Sequence, residues 1–213
     1  MSTDRISASP VPMRPRRVWR DLARILSTIF NPFLTALALF VILSHAQSHS
    51  IEVFWALIFF TTFFTSIGPM LFIFWLYSTD RISDLDMSIR EERERMFGIF
   101  LVFYVLGTAS LWITHAPKLL IATMAGYSLA TAVVQYITRY WKISTHALGI
   151  TAPLVALTLL YGREPLPFFV LIPMVCWARV YLRAHTVGQV VAGAVLAAFS
   201  VGLFFYLFHI VAV

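Results

Sequence analysis

The feature that most limits what this chain can become is a series of seven apolar windows, near residues 25–44, 52–77, 97–114, 119–138, 147–161, 166–182 and 188–211, joined by short polar connections. About 20 apolar residues cross a hydrocarbon core as a helix, because in lipid every backbone N–H and C=O must be bonded within its own segment. The expectation is an all-α, polytopic transmembrane helical bundle of six or seven spans: an integral, multi-pass membrane protein whose first partner is the bilayer. Composition agrees, since 60% of the 213 residues are apolar and only 12% charged, far from the globular average. There is no room for a separate soluble domain and no reason to expect a nucleic-acid partner. The fifth and sixth windows are short: about 15 residues reach only ~22 Å of a ~30 Å core. One end of each is expected below the headgroups, with Pro153, Pro165, Pro167 and Pro173 adding kinks or breaks. The single Cys176 reads as a small core residue.

Residues 1–24, MSTDRISASPVPMRPRRVWRDLAR, form a basic N-terminal tail, and residues 25–213 the catalytic bundle. The apolar run after the tail is too long for a cleavable signal. Arg14, Arg16, Arg17, Arg20 and Arg24 are expected to lie on anionic headgroups. Polar residues otherwise gather in three motif regions, "DRISDLDMSIREERER" at 80–95, "RYWKISTH" at 139–146 and "ARVYLRAHTVGQ" at 178–189. Two windows separate each from the next, so all three share one side with the tail. The opposite side holds only Lys118 and Arg163 as basic residues. The positive-inside bias places the polar clusters in the cytoplasm.

The clusters bring cations to helix ends: Arg90, Arg93 and Arg95, then Lys142, then Arg179 and Arg183. Guanidinium groups near a membrane need counter-charge, from the acidic residues of the first cluster or from a phosphate-bearing ligand. Arg179 stands out because it lies between Cys176 and Tyr181 on an otherwise apolar helix. Ser144 and Thr145 precede an apolar helical run and are N-cap candidates, and a helix N-terminus is a ready phosphate dock. His146 falls in that first turn. His185 opens the last window, with Gln189 four residues on and on the same face. Arg179 and His185 can converge only if the chain turns near Arg183 and Ala184. Two histidines at helix starts among arginines suit phosphoryl transfer, one imidazole attacking phosphorus and the other protonating the leaving oxygen. His45, His49, His115 and His209 lack cationic neighbours of this kind and read as ordinary interface residues.

The third cluster, R-V-Y-L-R-A-H-T-V-G-Q followed by "VVAG", resembles the last signature of the type 2 phosphatidic acid phosphatase superfamily, S-R-x5-H-x3-D. The second, "STHA", is similar to that family's P-S-G-H, and the order and separation of the two match over roughly residues 80–205. The resemblance implies that His185 is the nucleophile forming a phosphohistidine and His146 the general acid, with Arg179 and Ser144 holding phosphate oxygens. The family's first signature, K-x6-R-P, is not kept: Arg90 and Arg93 stand nearest to its arginine, and Lys142 is the candidate for its missing ammonium. Ala178, Thr145 and Gln189 occupy the positions of the family's serine, glycine and aspartate. The implied activity is metal-independent and cofactor-free hydrolysis of a lipid phosphate or polyprenyl diphosphate. The 19 phenylalanines favour a substrate that arrives within the bilayer. Two other readings compete. One is a magnesium-dependent prenyl-transferring enzyme that grips diphosphate through Asp80, Asp84 and Asp86. The other is a catalytically silent protein that binds lipid headgroups.

Overall fold

The computed structural model describes residues 15–84 and 89–210 of the chain. Arg14, Asp86 and the side chain of Arg16 lie outside them. The described residues form helices and no strands: α1 (Pro15–Ile29), α2 (Pro32–Gln47), α3 (Ile51–Thr62), α4 (Gly68–Ser78), α5 (Arg90–Ile113), α6 (Lys118–Thr138), α7 (Thr145–Tyr161), α8 (Leu171–Tyr181) and α9 (Val187–Leu207). A π-helical turn, Phe63–Ile67, joins α3 to α4, and a 3₁₀ turn, Leu166–Val170, leads into α8.

Four helical stretches are long and apolar enough to cross a membrane: Ile51–Ser78, Arg90–Ile113, Lys118–Thr138 and Val187–Leu207. A fifth is reached if Arg17–Ile29 and Pro32–Gln47, bent by 46° at their junction, are counted as one. Thr145–Tyr161 and Leu166–Tyr181 are shorter apolar helices, the two windows whose length had pointed to sunken ends. Pro153 sits inside an unbroken α7, whereas Pro165 and Pro167 fall at the 3₁₀ turn.

The window expected at 25–44 is two helices, and the boundary expected after residue 24 falls inside α1. Asn31 causes the break. Its Oδ1 accepts from the N–H groups of Phe33 (3.0 Å) and Leu34 (2.9 Å), while its amide donates to the Thr28 carbonyl at 3.0 Å. One side chain thus closes α1 and caps α2, and Pro32, which has no N–H to lose, takes the first helical position.

Small residues lie buried along α6 and α7 beside large core side chains such as Phe40, Met96 and Phe205, and many further large apolar side chains face outward. Ala122, Thr123, Ala125, Gly126 and Ala130 of α6, and Ala147, Gly149, Ala152 and Ala156 of α7, are buried. Trp55, Phe59, Phe74, Val105, Trp112, Val195 and Phe199 are exposed. In water such a surface would drive association; in lipid it is the solvated face, and small interior residues let helix backbones approach closely. Buried hydroxyls return to their own helices: those of Thr61, Thr65 and Thr123 each donate to the carbonyl four residues back at 2.7 Å.

The polar clusters gather at one end. Arg139 at the end of α6 pairs with Glu94 of α5 at 2.8 Å, and the Ser144 N–H donates to the Gln189 carbonyl at 3.2 Å. At the opposite end Trp112 meets Phe208 and His45 meets Phe54, with ring centroids 6.4 and 6.0 Å apart.

Candidate active site

Two helix starts and one helix end build the site. Ser144 caps α7, its hydroxyl accepting from the Ala147 N–H at 3.4 Å, which places Thr145 and His146 in the first turn. The α8 helix stops where Arg183 adopts a left-handed φ of 55°. The Ala184 N–H returns to the Arg179 carbonyl at 3.0 Å and the Arg183 N–H to that of Val180 at 2.9 Å, the paired bonds of a Schellman cap. This is the turn that the sequence required between Arg179 and His185. Thr186 then caps α9 in a reciprocal box: the Thr186 N–H donates to Gln189 Oε1 at 3.0 Å and the Gln189 N–H to Thr186 Oγ1 at 3.4 Å.

The two helix starts are held together by Gly193. A methyl group there would collide with the Ser144 carbonyl, so only glycine lets α9 lie this close to the α7 cap. The Ser144-to-Gln189 backbone bond forms across that contact.

His185 is buried, with Nδ1 3.4 Å from the Lys142 carbonyl. That acceptor draws the ring proton to Nδ1 and leaves the Nε2 lone pair as the nucleophilic position. Burial, and after it the charges of Arg179 and Lys142, push the His185 pKa down to about 4, against which the Lys142 carbonyl and the Gln189 side chain act weakly. The imidazole is therefore neutral at pH 7. The Gln189 oxygen also closes the capping box, and the acceptor facing Nδ1 is the Lys142 main-chain carbonyl.

His146 is within electrostatic reach of both Arg179 and His185, so the structure brings together His146, His185, Arg179 and Lys142 beside the Ser144 cap. It also adds a residue that no motif contains. Arg179 Nη1 donates to the hydroxyl of Ser27 on α1 at 2.6 Å. The only sequence signal for Ser27 is its place on the face of α1 that carries Ala23 and Leu26.

Arg90 and Arg93 both lie at the start of α5. Arg90 is exposed at the first position of α5, and Arg93 is buried one turn on, with charge neighbours Arg90 and Glu91. Neither shows a contact with the histidines among the described residues. The acidic residues of that cluster tie loops: Glu92 accepts from the Ser83 N–H (3.0 Å) and hydroxyl (2.9 Å), and Glu94 pairs with Arg139. Among the described residues no group of three His, Cys, Asp or Glu side chains is placed to hold a metal ion; Asp86 of the magnesium reading lies outside them.

The family model of the PAP2 superfamily matches residues 123–211, the stretch from α6 through α9 that carries both histidines. The match is consistent with a member of the type 2 phosphatidic acid phosphatase superfamily. No curated protein and no solved structure matches the chain.

Proposed function

We propose that this chain, carrying the PAP2 superfamily match over its second half, is a membrane phosphatase that hydrolyses a lipid phosphate or polyprenyl diphosphate through a phosphohistidine. The family match supports phosphatase action on phosphate esters. The observation that supports the finer reading is the junction of the two helix starts, where Ser144 bonds to Gln189 and Lys142 faces His185, so that two imidazoles and two cations share one small volume.

His185 Nε2 attacks phosphorus, and the bond to the leaving oxygen breaks. His146 gives that oxygen a proton, so the departing lipid leaves as an alcohol, or as a monophosphate when the substrate is a diphosphate. In the second half His146 takes a proton from water, the water oxygen attacks the phosphohistidine, and inorganic phosphate leaves with His185 regenerated. Arg179, Lys142 and the first N–H groups of α7, those of Thr145 and His146, stabilise the charge on the equatorial oxygens. Arg90 and Arg93, at the start of α5, are further candidates to hold phosphate oxygens.

In the bilayer α2, α7 and the Leu166–Tyr181 stretch also cross, because the chain alternates between the two ends through six or seven passes. Exposed Arg17, Arg20 and Arg24 lie on the helix that docks at the site end, which supports a cytoplasmic site. The deciding experiment is phosphate release by the reconstituted protein from phosphatidate, phosphatidylglycerol phosphate and a polyprenyl diphosphate, with acid-labile, base-stable phosphoenzyme trapped on the way. Release without a trappable phosphoenzyme would remove the phosphohistidine; no release from any of the three would remove the phosphatase.

A further inference from the structure

The helix α1 has three faces. Val18, Leu22, Ile25 and Ile29 are exposed along one, Arg17, Arg20 and Arg24 along a second, and Ala23, Leu26 and Ser27 are buried on the third. The last face packs on α8. Ala23 and Leu26 meet Ala178, and Trp19 meets Trp177 edge-on at 6.0 Å. The small side chains of Ala23 and Ala178, both wholly buried, permit a close approach that sets Ser27, one turn beyond Ala23, against Arg179. The break at Asn31 then fixes where α1 ends, so Ser27 lies in its last turn, where carbonyls have lost their helical donors. Two groups 152 residues apart in sequence are joined by this docking.

We infer that Ser27 is a positioning residue of the phosphoryl site: its hydroxyl sets the Arg179 guanidinium. The inference rests on the phosphatase reading above. A guanidinium offers five N–H donors in a rigid plane. Committing one of them to Ser27 at 2.6 Å fixes the rotation of that plane. Ordering that would otherwise accompany substrate binding is already in place. The first half of the chain, outside the family match, thus contributes to a site whose reacting groups lie in the second half.

The test compares Ser27→Thr, which keeps the hydroxyl, with Ser27→Val, which has the same shape without it. Both keep the main chain, and the full-length protein in lipid nanodiscs is used throughout. Ser27→Val is expected to lower kcat/KM for the lipid phosphate on the order of tenfold, the size of one charge-assisted hydrogen bond, with thermal stability equal to that of Ser27→Thr. Ser27→Thr is expected to restore most of the parental value. Nitrogen NMR of the arginine side chains gives a readout independent of turnover. The Arg179 Nη resonances, assigned by their loss in Arg179→Lys, should be distinct in the parent and in Ser27→Thr and averaged by rotation in Ser27→Val. Equal kcat/KM in the two variants, Nη spectra indifferent to the hydroxyl, or a gain of activity in Ser27→Val would each overturn the role of Ser27; the gain would mean that the hydroxyl competes with phosphate. Absence of turnover by the parent itself overturns the phosphatase reading instead, and the Nη spectra still decide whether Ser27 holds Arg179.

Discussion

Both ends of the bundle place histidines at helix termini, but the helices end there with opposite polarity. At the far end His115 and His209 take left-handed φ values of 53° and 54° and close Schellman caps on α5 and α9, with bonds of 2.9 Å from Ala116 to Leu111 and 2.8 Å from Ile210 to Phe205. These histidines stand at helix C-termini, where carbonyls face outward and an anion is repelled. At the site end His146 and His185 stand at helix N-termini, where free N–H groups attract one, and α7 and α9 approach closely enough to merge the two starts. What distinguishes His146 and His185 is therefore helix polarity and the convergence of two starts, the basis on which a reactive role is proposed for them.

The sharpest way to break this comparison is to delete the histidines at each end. His185→Ala and His146→Ala are expected to lower phosphate release by roughly 10²–10⁴-fold, the range for losing a nucleophile or a general acid, whereas His115→Ala and His209→Ala stay within about twofold. Only His185→Ala should prevent phosphoenzyme trapping. Comparable losses at both ends would return all the histidines to structural roles.

Next in size is a contrast between the two halves of α9. Gly193→Ala forces a methyl group into the Ser144 carbonyl and should displace the two helix starts, costing about 10²-fold in kcat/KM. A methyl at Gly202 meets nothing within 4 Å, so Gly202→Ala should leave kcat/KM unchanged. Parental kcat/KM in Gly193→Ala would show that the close approach of the starts is not what sets the rate.

The pH profile sharpens the electrostatic side of the comparison. With its folded pKa at about 4, below the ordinary imidazole value of about 6.5, His185 stays neutral and nucleophilic well into mild acid. The acid limb of kcat/KM should therefore lie near 4. Lys142→Met removes a cation and should move that limb upward. The linkage has the same sign in stability: between about 4 and 6.5 the unfolded chain binds the additional proton. The contribution of this group to folding is therefore complete above 6.5 and lost as pH falls through 4. A limb at 6.5 in the parent would mean that His185 is not held among cations.

The smallest expected effect concerns the cap that both ends share. Arg183 holds a left-handed φ with a Cβ atom, as His115 and His209 do, and relieving such a position with glycine is expected to stabilise by up to about 1 kcal/mol. Arg183→Gly and His209→Gly should therefore shift thermal unfolding upward by similar amounts. A loss of stability confined to Arg183→Gly would show that the Arg183 side chain does more than close α8.

Much of this was legible in the sequence because it is local. The apolar windows gave the all-helical membrane class, "STH" and "AHTVGQ" gave the two helix starts, and the six-residue interval from Arg179 to His185 demanded the turn that Arg183 makes. The four stretches that meet the length and hydropathy requirement for crossing are fewer than the six or seven expected, since α2, α7 and α8 are short. The first window also hid a break, because hydropathy averages over Asn31, whose two-sided capping is a matter of hydrogen-bond geometry.

What the sequence alone determined is whatever hydrophobic period, capping chemistry and motif spacing specify within a segment. Only the tertiary structure decided that the Lys142 carbonyl faces the His185 ring and that Ser27 reaches Arg179. Those facts depend on how closely helix backbones approach, which small residues such as Ala23, Ala178 and Gly193 set pairwise across the bundle. A pairwise distance between helices leaves no period in either strand of sequence, so it becomes visible only once the helices are packed.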